Sequence, residues 1–224
     1  MGDDSSATHV RVRNRRGEGS KLREEIVTAA VGLLDETGDE SAITLRSVAR
    51  RVGIAAPSIY RHFPDQPAIM LAVVRSAFAE LDGQLGAALD AAADTPRARL
   101  LALCRSYLRF AQEHPGRYRT MFGGVWSPEP NGTSVTREDM AALGRTSMLR
   151  LAEALQDCVA DGSATSTDVH ADAVALWLGL HGLAHQRVVA PSFPWPPDIA
   201  DRVIGTLAHL TGAGGAARGD DARG

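Results

Sequence analysis

The chain has 224 residues, of which 44% are hydrophobic and only 5% aromatic, and its formal net charge is −3. The hydrophobic content is enough to build a buried core, which excludes a wholly disordered chain. No run approaches the roughly 20 apolar residues of a membrane span, and the N-terminal charges are not followed by the apolar stretch of a secretory signal. We therefore expect a soluble, cytoplasmic protein that does not associate with a membrane.

The charge is distributed unevenly. Residues 9–23 carry the basic residues Arg11, Arg13, Arg15, Arg16, Lys21 and Arg23 against the single acid Glu18. Residues 41–66 carry Arg46, Arg50, Arg51 and Arg61 against Asp65. Local charge decides whether a surface attracts phosphates, so the first part of the chain can face nucleic acid despite the negative total.

The composition favours helices. Clusters of alternating β-branched and aromatic residues, which indicate strands, are missing. Cys104 and Cys158 stand in apolar helical surroundings, so we expect buried free thiols rather than a disulfide or a metal site. The predicted fold class is all-α, with about nine helices.

The N-terminal part contains three predicted helices. Residues 1–19, a basic arm, and the tail at 212–224 lack apolar periodicity and are expected to be disordered. A first helix runs from Ser20 to Thr37 and ends at Gly38. A second, over 44–53, begins at the cap Thr44 and ends at Gly53, whose conformational freedom permits a tight turn.

A third short helix is predicted over 55–63. Pro57 is tolerated in a first turn, Ile59 and Phe63 share the inner face, and Pro64 ends the helix. Two short helices joined by a glycine turn form the helix-turn-helix arrangement. Residues 20–65 are therefore predicted to be a DNA-binding domain.

A C-terminal helical domain is predicted over 66–211. It begins with a long connector helix from Gln66 to about Ala93. The further helices are expected at 96–113, 115–122, 134–161, 167–190 and 197–210, with a loop at 127–133.

The second and third helices resemble the TetR family of transcriptional regulators. The resemblance rests on Thr44-Leu45-Arg46, Val52-Gly53-Ile54 and Tyr60-Arg61-His62-Phe63, within a match over about residues 22–75. Residues 177–182, Trp-Leu-Gly-Leu-His-Gly, also resemble a Trp-x-x-x-His-Gly signature of one subset of that family. The sequence departs from the family at Gln66, where Lys is frequent, and at Ala55-Ala56-Pro57, where Ser or Thr with a basic neighbour is frequent.

The candidate DNA-binding residues lie on the second and third helices. Thr44 offers a hydroxyl and a helix N-terminus to a phosphate, and Arg46 lies beside it. The resemblance implies that Tyr60 and His62 also hydrogen-bond to phosphates. The start of the third helix faces the bases in a helix-turn-helix complex, so the candidates for base contacts are Ala55, Ala56, Pro57, Ser58 and Arg61. Arg61 can read guanine or lie along a phosphate, and the basic arm can follow the minor groove or remain a solvated tail.

The candidate ligand-binding residues are large apolar or amphipathic side chains of the C-terminal domain. Pockets for small molecules are mostly apolar with a few polar anchors. Any one of these residues can instead belong to the core. The candidates are Tyr107, Phe110, Met121, Phe122, Trp126, Met140, Met148, Trp177 and His181.

Two spacings within 167–190 have more than one interpretation. His181 and His185 share a helix face at a spacing that can chelate zinc, but no third ligand accompanies them, so a pocket wall or a subunit contact is favoured over a metal. Gly179 and Gly182 would let another helix approach closely. The resemblance implies that the last two helices pair with their copies in a four-helix bundle, and a dimer is needed to read a palindromic operator.

The predicted function is a ligand-responsive, homodimeric transcriptional regulator without a cofactor. The expected partners are double-stranded operator DNA and a small apolar or amphipathic effector that releases a repressor; an activator remains open. One alternative is a helical dimeric sensor that does not bind DNA. Another is a helical enzyme that uses His114, His181 and His185, but no catalytic motif supports it.

Overall fold

The structure is a computed structural model that describes residues 19–124, 126 and 132–212. Ten α-helices are present in these ranges, with a 3-10 helix, Glu40–Ala42, after the first. Their bounds are α1 Gly19–Thr37, α2 Leu45–Val52, α3 Ala56–Ile59, α4 Gln66–Asp90, α5 Pro96–Glu113, α6 Pro115–Phe122, α7 Arg137–Ala142, α8 Arg145–Ala160, α9 Val169–Val189 and α10 Ile199–Leu207. The all-helical class is confirmed. The predictions for 1–18, 127–131 and 213–224 lie outside the described residues.

The helix expected over 134–161 is divided into α7 and α8. Gly144, before α8, has a φ of 70°, which other residues rarely adopt. A Cβ atom at this position would lie 2.9 Å from the ring of Phe78 in α4. The close approach of Phe78 and the left-handed backbone both require glycine. The helix therefore breaks at Gly144, although the apolar periodicity of the sequence continues past it.

The described residues form two compact units. The first contains the described residues of 19–76 and 119–140, and the second contains 77–118 and 141–212. The helices α4 and α6 each contribute residues to both units, because the divisions fall after Ser76 and after Tyr118. The boundary expected near Gln66, between the DNA-binding domain and the C-terminal domain, stays a prediction. The first turns of α4 belong to the first unit.

The first unit has a core built from the inner faces of α1, α2 and α3. Ile26 and Leu34 of α1, Val48 of α2, and Ile59 and Phe63 are fully buried. Burial of such side chains stabilises the domain by about 1.5–3 kcal/mol each. Ile59 and Phe63 therefore face inward as predicted, although α3 ends at Ile59 and residues 60–62 form a turn.

The second unit packs α5 against α8 and α9, and α9 against α10. Its buried side chains include Leu100 and Phe110 of α5, Leu155 of α8 and Leu176 of α9. Cys104 and Cys158 are buried free cysteines, as expected. No helix in the described part of the chain is long and apolar enough to cross a membrane.

Candidate nucleic-acid interface and ligand site

The N-terminus of α2 is held by a reciprocal cap. The Ser47 backbone N–H donates to the Thr44 hydroxyl at 3.0 Å, and the Thr44 backbone N–H donates to the Ser47 hydroxyl at 2.9 Å. At the other end Gly53, with a φ of 74°, turns the chain toward α3. The sequence predicted Thr44 as the cap, and Ser47 completes a capping box in the place usually taken by Glu or Gln.

The exposed face of α3 and the turn after it holds most of the predicted base-reading residues. Ala55, Pro57 and Arg61 are exposed, while Ala56, Ser58 and His62 are partly buried. Tyr60 is 54% exposed, whereas its neighbour Ile59 is fully buried. The Tyr60 ring therefore does not belong to the core.

The arginines of α2 and of the turn after α3 differ in their charge environment. Arg51 forms an ion pair with Glu36 of α1, with the nitrogen and oxygen 2.5 Å apart. In contrast, Arg46, Arg50 and Arg61 are exposed and have no ion pair with any residue that the structure describes. This part of the surface therefore keeps positive charge that can attract phosphates.

Gln66 has a structural role that its sequence position did not indicate. Its side-chain amide, at the start of α4, donates to the Ile43 backbone carbonyl at 2.8 Å. Ile43 immediately precedes the cap residue Thr44. The bond therefore ties the first turn of α4 to the segment that leads into α2.

Further contacts within the first unit hold Glu40 and Asp65. The buried hydroxyl of Thr120 donates to Glu40 at 2.8 Å, and the Arg119 guanidinium donates to the backbone carbonyl of Gly38. Asp65 caps α4 by accepting from the Ala68 N–H at 2.9 Å, and it also accepts from the Ser134 N–H at 2.7 Å. The C-terminal part of α6 and residues near α7 therefore support the helix-turn-helix.

The predicted ligand-binding residues do not all belong to one unit. Tyr107, Phe110, Met148, Trp177 and His181 belong to the second unit. The first unit contains Met121, Phe122, Trp126 and Met140. Trp126 packs against the core of the helix-turn-helix. Apolar character alone did not indicate which unit each residue belongs to, because the boundary between the two units falls inside α6.

A buried polar cluster forms where α5, α6 and α9 meet. The hydroxyl oxygens of Tyr107 and Tyr118 are 3.1 Å apart, and the Tyr118 oxygen lies 2.7 Å from Nδ1 of His181. The Tyr107 oxygen lies 3.4 Å from the same nitrogen, and the centroids of the Trp177 and His181 rings are 5.6 Å apart. Sequence reasoning found Tyr107, Trp177 and His181 but missed Tyr118, because nothing in the sequence shows which helix faces α9.

Burial shifts the pKa values of the side chains in this cluster. Desolvation raises the pKa of Tyr107 and raises that of Tyr118 to about 12, so both phenols stay neutral. Desolvation, and secondarily the charge of His185, lowers the pKa of His181. The imidazole is therefore favoured in its neutral form.

The structure does not gather a metal site around His181 and His185. His185 is exposed, while His181 is directed at the two tyrosines. Among the described residues, no three His, Cys, Asp or Glu side chains come together as metal ligands.

Two models of one protein family match this chain. Residues 26–73 match bacterial regulatory proteins of the tetR family, and residues 100–210 match the tetracyclin repressor-like C-terminal domain. The two matches together cover well over half of the sequence. The chain belongs to the TetR family. Members of this family are non-enzymatic regulators with a DNA-binding N-terminal domain, so the enzyme alternative is set aside.

A curated relative and a solved structure match this chain over different lengths. The nucleoid occlusion factor SlmA of Vibrio vulnificus is 31% identical over 104 residues, which are 46% of this chain and 53% of that protein. The chain thus matches about half the length of this curated relative. A protein of unknown function from Rhodococcus sp. RHA1 has a TM-score of 0.67 at 25% identity, over 84% of this chain and 91% of that one.

A solved structure of similar fold at lower identity is the transcriptional regulator FadR of Bacillus subtilis, in complex with stearoyl-CoA. It has a TM-score of 0.65 at 14% identity, over 83% of this chain and 97% of that one. This likeness concerns the fold alone. The resemblance of residues 177–182 to a subset signature stays a prediction.

Proposed function

We propose that this TetR-family protein is a homodimeric repressor that a small apolar or amphipathic molecule releases from a palindromic operator. The observation that carries the DNA-binding part is the exposure of Tyr60 and Arg61 on a turn whose neighbours Ile59 and Phe63 are fully buried. The core thus fixes this turn while its polar side chains stay available for DNA.

Phosphate contacts are assigned to the start of α2 and to the turn after α3. The capped N-terminus of α2 at Thr44 presents backbone N–H groups and the positive end of the helix dipole, and Arg46 adds charge beside it. Tyr60 and His62 donate hydrogen bonds to phosphates farther along the backbone. Such contacts set the register on DNA without reading its sequence.

Base contacts are assigned to the start of α3 and to Arg61 in the turn after it. Arg61 is the one long side chain of the group and can donate two hydrogen bonds to guanine O6 and N7. The other members are Ala55, Ala56, Pro57 and Ser58, of which the alanines and the proline offer apolar contact to a thymine methyl group. One such segment reads only a half-site, so a dimer is required for a palindrome.

The dimer is proposed to form through α9 and α10. On α9 the exposed residues Leu178, Gly182, His185 and Val189 recur at spacings of four, three and four, so they follow one face. Leu178 is 55% and Val189 is 62% exposed in the single protomer, which is unusual for large apolar side chains on one helix face. A second copy of α9 would cover them.

The effector is proposed to bind in the second unit beside Tyr107, Phe110, Met148, Trp177 and His181, with Tyr118 as an additional contact. The solved structure of FadR in complex with stearoyl-CoA, which has a similar fold, supports an amphipathic effector. The first unit contains Met121, Phe122, Trp126 and Met140, so the role expected of them from the sequence stays a prediction and is not part of this site.

The proposed coupling runs along α6. Tyr118 contacts His181, and the next residues of the same helix, Arg119 and Thr120, hold Gly38 and Glu40 beside the helix-turn-helix. A ligand that shifts Tyr118 therefore disturbs the support of α2. A coupling free energy of about 1–3 kcal/mol changes operator affinity roughly 5- to 150-fold, and DNA must weaken ligand binding by the same factor.

The test begins with selection of operator sequences from random duplex DNA by the full chain, followed by fluorescence anisotropy at several salt concentrations. We expect a palindromic consensus and binding that weakens steeply with salt. Tyr60→Ala with Arg61→Ala should abolish specific binding. Arg109→Ala, which removes an exposed arginine of α5, is the matched control and should bind normally.

Two outcomes would contradict the proposal. If no sequence is enriched and the double variant binds random DNA as well as the parent chain does, the sensor that does not bind DNA is favoured. If DNA binds but no compound from an apolar and amphipathic library lowers the affinity, the ligand-responsive part fails. A promoter-reporter assay then separates repression from activation.

A further inference from the structure

Arg150 of α8 is a half-buried arginine that lies beside α4 at Gly86. A Cβ atom added to Gly86 would be 3.8 Å from Nη1 and 3.9 Å from Nη2 of Arg150. Both residues belong to the second unit. Because glycine has no side chain, the end of the guanidinium group occupies the space next to the α4 backbone.

The charge of Arg150 has no counter-ion in the described part of the chain. Arg150 forms no ion pair or hydrogen bond with a residue that the structure describes, and its Nε atom is buried without an acceptor. In contrast, Nη2 of Arg105 in the same unit lies 2.9 and 2.8 Å from the two carboxylate oxygens of Asp201. Withdrawing a charged group from water without a partner is unfavourable, and arginine cannot avoid this cost by losing its proton.

Asp82 of α4, one helical turn before Gly86, is bound to a different side chain. Its carboxylate accepts a hydrogen bond from the hydroxyl of Ser147 at 2.5 Å, and Ser147 lies about one turn before Arg150 on α8. The two helices thus meet in successive turns, with Ser147 at Asp82 and Arg150 at Gly86. Where an acid at position 86 would neutralise Arg150, the chain has glycine, so α4 supplies no ion pair to this arginine.

The terminal nitrogens are the accessible end of the guanidinium group. Nε is the buried, unpartnered nitrogen of Arg150, whereas Nη1 and Nη2 are not fully buried. A planar guanidinium group offers parallel N–H donors that match the two oxygens of a carboxylate or a phosphate. Leu85 precedes Gly86 and Leu151 follows Arg150, and both are buried, so a charge pair at this position is stronger than in water.

We propose that Arg150 forms an oxyanion-binding site between α4 and α8, and that Gly86 leaves the room for its ligand. The site shares no residue with the proposed operator-binding surface or with the cluster of Tyr107, Tyr118 and His181. It therefore adds a second ligand class, a molecule that carries a carboxylate or a phosphate, and it does not depend on the proposed function.

Calorimetric titration of the full chain without DNA compares benzoate, phenyl phosphate and benzamide, which has the shape of benzoate but no charge. We expect at least one of the two anions to bind about tenfold more tightly than benzamide, because hydrogen bonds to a charged acceptor are stronger. The tighter anion identifies the preferred oxyanion. The preference should be lost in Arg150→Gln and kept in Arg145→Gln, which removes an exposed arginine of the same helix. Anions that bind no more tightly than benzamide, or a preference that survives in Arg150→Gln, overturn the proposal.

The place of binding is tested by Nε–Hε correlation spectra of the full chain labelled with ¹⁵N-arginine. Arg150→Lys assigns the Arg150 signal through its loss. The tighter anion should shift this signal to saturation over the concentrations that calorimetry gives, while the Arg145 signal stays unchanged. An Arg150 signal that does not move places the anion elsewhere and overturns the site.

Substitutions of Gly86 test the room for the ligand without removing the charge. Gly86→Ala adds a Cβ atom at an ordinary contact distance of 3.8 Å and should bind the anion as the parent chain does. Gly86→Leu fills the space beside the guanidinium group and should weaken anion binding about tenfold, while thermal unfolding still shows a folded protein. Equal anion affinity of the folded Gly86→Leu and Gly86→Ala variants would remove α4 from the site.

Discussion

The side-chain amide of Gln66 donates a hydrogen bond to the backbone carbonyl of Ile43, which immediately precedes the cap of α2. The bond is 2.8 Å long and joins the start of α4 to the helix-turn-helix. A position that differs from the frequent lysine of the TetR family thus has a defined contact. Gln66 is therefore expected to position the N-terminus of α2, which we propose to bind a phosphate.

Replacement of Gln66 by alanine should lower both stability and DNA affinity. The lost bond leaves the Ile43 carbonyl with one partner fewer, and one such bond contributes about 0.5–1.5 kcal/mol to the free energy of unfolding. Urea unfolding and anisotropy measure the two effects. Gln156→Ala, at an exposed site of α8, is the control and should change neither. Equal behaviour of the two variants would remove the role assigned to Gln66.

The Thr44 cap makes a second prediction, which separates folding from phosphate contact. Thr44→Ala removes the hydroxyl that accepts from Ser47, and loss of such a cap costs about 0.5–2 kcal/mol of stability. Thr44→Ser retains the hydroxyl and should keep both stability and affinity. Thermal unfolding measures the change in stability. Anisotropy at several salt concentrations measures the change in DNA affinity.

The salt dependence separates the neutral Thr44 from a cationic phosphate contact. Because the Thr44 hydroxyl carries no charge, Thr44→Ala should weaken DNA binding without changing the slope of log affinity against log salt. For comparison, loss of one cationic phosphate contact, as in Arg46→Ala, should reduce the magnitude of the slope by about 0.9. An unchanged slope in Arg46→Ala would show that this arginine does not neutralise a phosphate.

Gly179 and Gly182 should respond in opposite ways to alanine. A Cβ atom at Gly179 would lie 2.3 Å from Leu207 and 3.1 Å from Val203 of α10, whereas one at Gly182 would meet nothing within 4 Å of the same protomer. Gly179→Ala should cost about 1–3 kcal/mol through overpacking. Gly182→Ala should instead improve helix propensity by up to about 1 kcal/mol within one protomer.

Gly182→Ala also tests the proposed dimer interface. If the partner's α9 packs over this glycine, the added methyl group should weaken the dimer, which sedimentation over a range of protein concentrations measures. Urea unfolding gives the effect on stability. A dimer of unchanged strength would place the subunit contact on another face.

His181 should make the protein less stable in acid. Its pKa is lowered in the folded protein, chiefly by burial, below the ordinary value of 6.5. Above that value the ring is neutral in both the folded and the unfolded chain. The stability that the folded protein gains from keeping His181 neutral is then fully present. As the pH falls below it, the unfolded chain binds a proton first, and stability is lost until the folded-state pKa is passed.

The measurement is urea unfolding between pH 5 and pH 8, compared with His181→Gln, which cannot titrate. The parent chain should lose more stability than the variant toward the acidic end. His185→Gln is the second control, because His185 is exposed and contributes only secondarily to the lowered pKa of His181. Parallel pH profiles for the parent and His181→Gln would contradict the assignment.

The all-helical class, the helix-turn-helix and the TetR family could be predicted from the sequence, because each depends on short-range patterns. Thr44 as a cap, Gly53 as a turn and the inward pair Ile59 and Phe63 are set by neighbours within a few residues. Apolar periodicity and backbone preferences are local properties, so they can be read along the chain.

Contacts between distant residues were decided only by the tertiary structure. The break at Gly144 depends on Phe78, the role of Gln66 depends on Ile43, and the partner of His181 is Tyr118. The two-unit division inside α6, which separates Trp126 from His181, belongs to the same class. Such pairs are brought together by helix packing, and the free energy of that packing comes from shape and burial rather than from any spacing along the sequence.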